Sequence, residues 1–186
     1  MISLPFRRSR RAGSIDALYG MIVAQARLPA FYRDYGVPDT VEGRLDMLML
    51  HLMLLLRRLG QGQPAEAMDA IPAAGQELFD RFCRDIDANF REMGVGDLTV
   101  PKKMRQVAEA YYGRARAYES ALQADDAPAL EAAIARNVFG ASGPVLGARR
   151  LATYMREASR RLDAQPAAAV AGAELDFPDP NTVTPT

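Results

Sequence analysis

The chain has 186 residues, 49% of them hydrophobic and 25% charged, the profile of one globular domain long enough to bury a real core. Basic and acidic residues stand at 23 each, so no overall field draws the chain toward nucleic acid, and DNA is not an expected partner. The single cysteine, Cys83, excludes an internal disulfide and fits a reducing compartment.

The first thirteen residues carry Arg7, Arg8, Arg10 and Arg11 and no acid. No apolar run follows them that would make a secretory signal, so the cytoplasm is the default location. Residues 1–13 read as a flexible basic end. From there the periodicity is helical. Ser14 can cap a helix with Ile15, Leu18, Tyr19, Ile22, Val23 and Ala26 on one face. Pro29, Gly36 and Pro38 then break the pattern. Asp39, with Glu42 three positions on, starts a second helix that reaches Leu59 and stops at Gly60. The next stretch, with Gly62, Pro64, Pro72 and Gly75, reads as irregular.

Leu78, Phe79, Phe82, Cys83, Ile86, Phe90 and Met93 form the stripe of a third helix ended by Gly94. Cys83 belongs to that stripe, which makes it a packed thiol rather than a nucleophile. Pro101 opens a fourth helix along Met104, Val107, Ala108, Tyr111, Ala115, Tyr118 and Leu122. Asp126 before Pro128 starts a shorter one ending at Gly140, and a last helix runs from about Gly143 to Leu162. No segment alternates at period two. The expected fold is all-α, a single-domain bundle of about six helices over residues 14–163. The small, polar, proline-punctuated residues 164–186 read as a disordered tail.

Two stretches stand out. "REMGVGDLTVPKKM", residues 91–104, joins two helices and holds the only two lysines. It lacks the preceding strand and the Gly-Lys-Ser/Thr ending of a phosphate loop. Gly94 suits a left-handed helix end, Gly96 a tight reversal, and Asp97 can accept from loop N–H groups. Lys102 and Lys103 sit at a helix N-terminus, where the backbone dipole disfavours cations. They therefore face an anionic partner or are offset by Asp97.

"LDMLMLHLMLLL", residues 45–56, has ten large apolar residues in twelve and no polar face. It is too short to span a bilayer. Either the bundle encloses it or it leaves apolar surface for a partner, with Met47, Met49 and Met53 as adaptable contacts. His51, the only histidine, reads as a hydrogen-bonded core residue rather than a ligand. The acids Asp80, Asp85, Asp87 and Glu92 lie off the apolar stripe, and no Glu-x-x-His or Gly-x-Ser-x-Gly occurs. We therefore expect no metal, no cofactor and no catalytic residue. An enzyme working through Asp46, Glu92 and Asp97 is only a residual reading.

Four blocks, Gln25 to Tyr32, Val37 to Asp46, Arg91 to Met104 and Tyr111 to Tyr118, together resemble the ubiquinol–cytochrome c chaperone family in order and spacing. The resemblance covers about residues 18–160. It implies a helical, non-catalytic assembly factor for respiratory complex III that binds newly made cytochrome b. For mitochondrial members it also implies a small partner protein and contact with the ribosome. The arginine-rich, lysine-poor composition favours an alphaproteobacterial member over a mitochondrial one, with the matrix side of the inner membrane as the location if the chain were eukaryotic. Such a chaperone needs apolar surface and cations near a membrane. The expected client contacts are Met47, Met49, Met53, Arg91, Lys102, Lys103, Arg105 and Arg114, and the expected inner-membrane contacts are Arg7, Arg8, Arg10 and Arg11. The alternative is a small carrier of quinone or haem, anchored by Arg44, Asp46 and His51.

Overall fold

The computed structural model describes residues 5–60, 73–140 and 145–183, with the first helix described by backbone alone as far as residue 12. Among these residues the secondary structure is helical, with no strand. The elements are α1 (Pro5–Ala26), α2 (Pro29–Arg33), α3 (Val41–Gly60), α4 (Ala73–Glu92) and α5 (Val100–Gln123). They are followed by α6 (Ala127–Ile134), which runs into a π-helical turn (Ala135–Phe139), then α7 (Val145–Ala164) and α8 (Ala167–Ala171).

The expected helices are present, with instructive shifts at their ends. α1 begins at Pro5, not Ser14. Proline is tolerated in a first turn, and no breaker follows it before Gly13. At α3 the capping residue is Thr40 rather than Asp39: the Thr40 hydroxyl accepts from Gly43 N–H at 3.1 Å, while Asp39 pairs with Arg44 at 2.7 Å. Asp126 caps α6 as expected, its carboxylate accepting from Ala129 N–H at 2.9 Å. Gly75 lies inside α4, and Gly62, Pro64 and Pro72 lie outside the described residues.

α3 is the axis of the bundle, in contact with α1, α4, α5, α7 and the π turn. This enclosure explains its composition, because a helix with neighbours on every side needs no polar face. Two glycines allow the closest approaches. A Cβ on Gly43 would lie 2.0 Å from the Pro38 carbonyl oxygen, and one on Gly147 would lie 2.3 Å from that of Tyr35. α7 therefore packs backbone against backbone on the segment after α2, where Arg150 donates to the Asp34 carbonyl at 2.6 Å and stacks 4.9 Å from the Tyr35 ring centroid.

The tail departs from expectation. Residues 165–183, read as disordered, form α8 and then an irregular strap that returns over α1, α3 and the α2 corner. Pro178 and Pro180 are buried, and Phe177 packs against the core. Two aspartates and three prolines among residues 165–183 lower the helix propensity there. Low propensity does not prevent ordering when a complementary surface is available.

Candidate functional site

The glycine corner between α4 and α5 is built from paired local rules. Val95 N–H donates to Phe90 O at 2.9 Å and Gly94 N–H to Arg91 O at 3.0 Å, the two bonds of a Schellman helix end. They require a left-handed residue at Gly94, whose φ is +79°. Thr99 and Val100 N–H then both turn back onto Gly96 O, at 2.7 and 3.2 Å, and Pro101 occupies the first turn of α5. Asp97 does not serve the loop N–H groups as expected; its carboxylate pairs with Arg91, which also holds Asp87 at 2.7 Å.

This geometry lifts one side chain entirely clear of the protein. Leu98 is 98% exposed and Met93 is 53% exposed. Lys102, Lys103 and Arg105 are exposed beside them, and among the described residues no acid pairs with any of the three. Asp97 is committed to Arg91, so it does not offset the two lysines at the α5 N-terminus. The corner therefore joins bare apolar surface to uncompensated positive charge. Reading the sequence had identified the cations and missed Leu98. Its only signal was a large apolar residue placed in a turn between Asp97 and Thr99, outside any helical stripe.

The other expected client contacts lie inside the molecule. Met47, Met49 and Met53 are buried, since α1, α4, α5 and α7 close around α3. Arg114 is not a surface cation. It pairs with Asp46 at 2.7 Å and donates to the carbonyls of Ala110 at 3.3 Å and Asn137 at 3.2 Å, tying α3, α5 and the π turn together. Burial raises the Asp46 carboxyl to about 6 against the opposing pull of Arg114. The side chains of Arg7, Arg8, Arg10 and Arg11 lie outside what the structure describes, and their backbone continues α1.

His51 is a satisfied core residue. Its Nδ1 lies 2.8 Å from Met47 O and its Nε2 2.9 Å from Tyr154 OH. Facing a carbonyl, Nδ1 must carry the proton, so Nε2 accepts from the tyrosine hydroxyl, which in turn accepts from Gln25 Nε2 at 3.0 Å. Burial lowers the imidazole to about 4, keeping it neutral. The anchors of the carrier reading are thus all engaged: Arg44 with Asp39, Asp46 with Arg114, and His51 at both nitrogens. Two surface clefts, of about 440 and 530 Å³, are lined mainly by arginines and carboxylates, with Pro29 and Tyr32 in the first and Leu122 in the second, and neither reaches His51. Cys83 is half-buried, and burial raises its thiol away from the reactive thiolate.

No helix among the described residues is long and apolar enough to cross a membrane. The family described as ubiquinol-cytochrome C chaperone matches residues 33–177. The crystal structure of the Cbp3 homolog from Brucella abortus superposes with a TM-score of 0.82 at 37% identity, over 96% of this chain and 97% of that one. No curated protein matches. The matched span begins at the last residue of α2, takes in the whole corner and ends at Phe177 in the strap. This chain belongs to the ubiquinol–cytochrome c chaperone family.

Proposed function

We propose that this protein is a non-catalytic assembly chaperone of ubiquinol–cytochrome c reductase that holds unassembled cytochrome b at the glycine corner. The family supports the assembly role, and the observation that carries the site is Leu98, bare to solvent beside cations without partners. A newly made membrane protein offers apolar helix surface flanked by polar connections. Leu98 and Met93 would meet the first, and Lys102, Lys103 and Arg105 the second. An apolar anchor surrounded by a polar rim is the usual layout of a protein interface.

The client lies in the inner membrane, so the chaperone works at its surface. The arginines of the first helix supply that contact, each contributing about 1 kcal/mol near anionic lipid. The corner is tested with the triple variant Leu98→Asp, Lys102→Glu, Lys103→Glu, by measuring unassembled cytochrome b that co-purifies from detergent-solubilised cells. Association should fall several-fold while the melting temperature stays within about 2 °C of wild type, because exposed substitutions rarely change stability by more than about 0.5 kcal/mol. Unchanged association would remove the corner from the site. The wider role is tested by deletion of the gene: normal levels of assembled complex III in that strain would reject it.

A further inference from the structure

The strap after α8 is built unlike the rest of the molecule. The chain reverses at Ala173, whose φ is +61°. It then runs without helix through exposed Glu174, Asp176 and Asp179, which alternate with half-buried Leu175 and Phe177 and buried Pro178 and Pro180. Prolines carry no N–H, so at Pro178 and Pro180 only the backbone carbonyl can be gripped. The bundle presents the matching donors from two separate elements. Gln25 Nε2 of α1 donates to Pro178 O at 3.0 Å, and Tyr35 OH donates to Pro180 O at 2.7 Å. Just before these carbonyls the Phe177 ring meets His51 edge-to-face, 5.3 Å between centroids. Phe31 and Tyr154 pack around the same imidazole, their ring centroids 5.5 and 5.6 Å from it.

The groove thus reads an aromatic ring and two carbonyls spaced two residues apart on a non-helical segment that turns at Pro180. This is how aromatic-lined grooves bind proline-rich segments. Any polypeptide with an aromatic–Pro–x–Pro pattern offers the same three features. The base of the strap is tied by Gln165 to Glu174 O at 3.0 Å and to Asp176 N–H at 3.1 Å, by Arg161 to Asp176 at 3.6 Å and by Glu174 N–H to Ala169 O at 2.9 Å, while Leu175 and Phe177 pack against the core. Because the strap contributes no helix to the bundle, it can leave the groove without breaking one.

We infer that the groove formed by Gln25, Tyr35 and His51, with Phe31 and Tyr154 behind it, is a recognition site for an aromatic–proline segment of a partner polypeptide, closed in cis by Phe177–Pro180. The tethered strap competes at high effective concentration, so the groove admits only a partner that is itself brought close, for example by docking elsewhere on the chaperone. This inference does not depend on which client the corner holds.

The test uses the full chain with a protease site inserted between Gly172 and Ala173, folded and then cut. The released strap should separate on gel filtration. A fluorescein-labelled peptide of residues 173–183 should then bind one per chain, at least tenfold more tightly than to the uncut chain. The same peptide carrying Phe177→Ala should bind at least tenfold more weakly, and an unrelated peptide keeping only Phe-Pro-x-Pro should compete with the labelled one. A cut strap that stays bound, a groove that takes back no peptide, or equal binding to cut and uncut chains overturns the inference. Failure of the unrelated peptide to compete overturns recognition of a partner. If cutting unfolds the chain, the uncut Phe177→Ala protein gives the same reading: it should take up the labelled peptide at least tenfold better than wild type, and equal uptake overturns the inference.

Discussion

Gly147 offers a sharp test of how the groove is positioned. A methyl group added there would sit 2.3 Å from the Tyr35 carbonyl oxygen and 3.1 Å from two atoms of the Phe139 ring, where ordinary contact begins at 3.4 Å. The carbonyl is backbone and the methyl is fixed to α7, so neither can rotate aside. The first turns of α7 must retreat by about 1 Å, which forfeits a quarter to a half of each dispersion contact made there. Ala148, Leu151 and Ala152 are buried on that face. Overpacking of this kind costs about 1–3 kcal/mol, and the gain in helix propensity from glycine to alanine returns about 0.5–1 kcal/mol. We expect Gly147→Ala to lose about 1 kcal/mol net, or about 2–4 °C in melting temperature for a chain of this size. Gly113→Ala is the control: it too is helical, but nothing lies within 4 Å of its added Cβ. It should gain about 0.5–1 kcal/mol. Thermal and urea unfolding of both variants decides the matter. Equal stability of the two would show that α7 does not press on the Tyr35 segment and would refute the packing argument.

Three further outcomes follow from the same interior. Tyr154→Phe keeps the ring contacts but leaves His51 Nε2 buried without its donor, so urea unfolding should show a loss of about 1–3 kcal/mol; a change below about 0.5 kcal/mol would mean that the hydroxyl bridge carries no weight. The pH dependence of stability should show two opposing terms. His51 is lowered from 6.5 to about 4, so the unfolded chain takes its proton first and stability is lost as pH falls from 6.5. Asp46 is raised from 3.8 to about 6, so the folded chain takes its proton first and stability is gained as pH falls below 6. Each amounts to roughly 2 kcal/mol between pH 7 and 4.5, and in the wild type they nearly cancel. Asp46→Asn removes the second and should expose the decline due to His51; identical pH slopes for wild type and variant would exclude this coupling. Finally, Gly94→Ala meets no atom within 4 Å but must adopt φ +79°, which costs on the order of 1 kcal/mol. A melting temperature no lower than wild type would argue against the Schellman geometry of the corner.

Much of this architecture is set by short-range chemistry and is legible in the chain. Apolar spacing of three and four places the helices, because a helix buries whichever stripe its own residues supply. Gly94 and Asp126 end and start their helices through bonds to residues within five positions, so local sequence suffices to read them. The solitary His51 in an apolar run identifies itself as a core residue, since the chain has no companion ligands for it.

What the tertiary fold decided is which surfaces remain uncovered. A run of ten large apolar residues looks the same whether its neighbours close over it or not. Only the approach of α1, α4, α5 and α7 shows that Met47, Met49 and Met53 are interior. Arg114 was indistinguishable from Lys102 until Asp46, 68 positions earlier, appeared beside it. The hydrophobic guest suggested by the composition of α3 is present in part as the chain's own Phe177, 126 residues beyond His51. Burial is a property of pairs brought together from distant positions, and one-dimensional pattern records only the periodicity of each member.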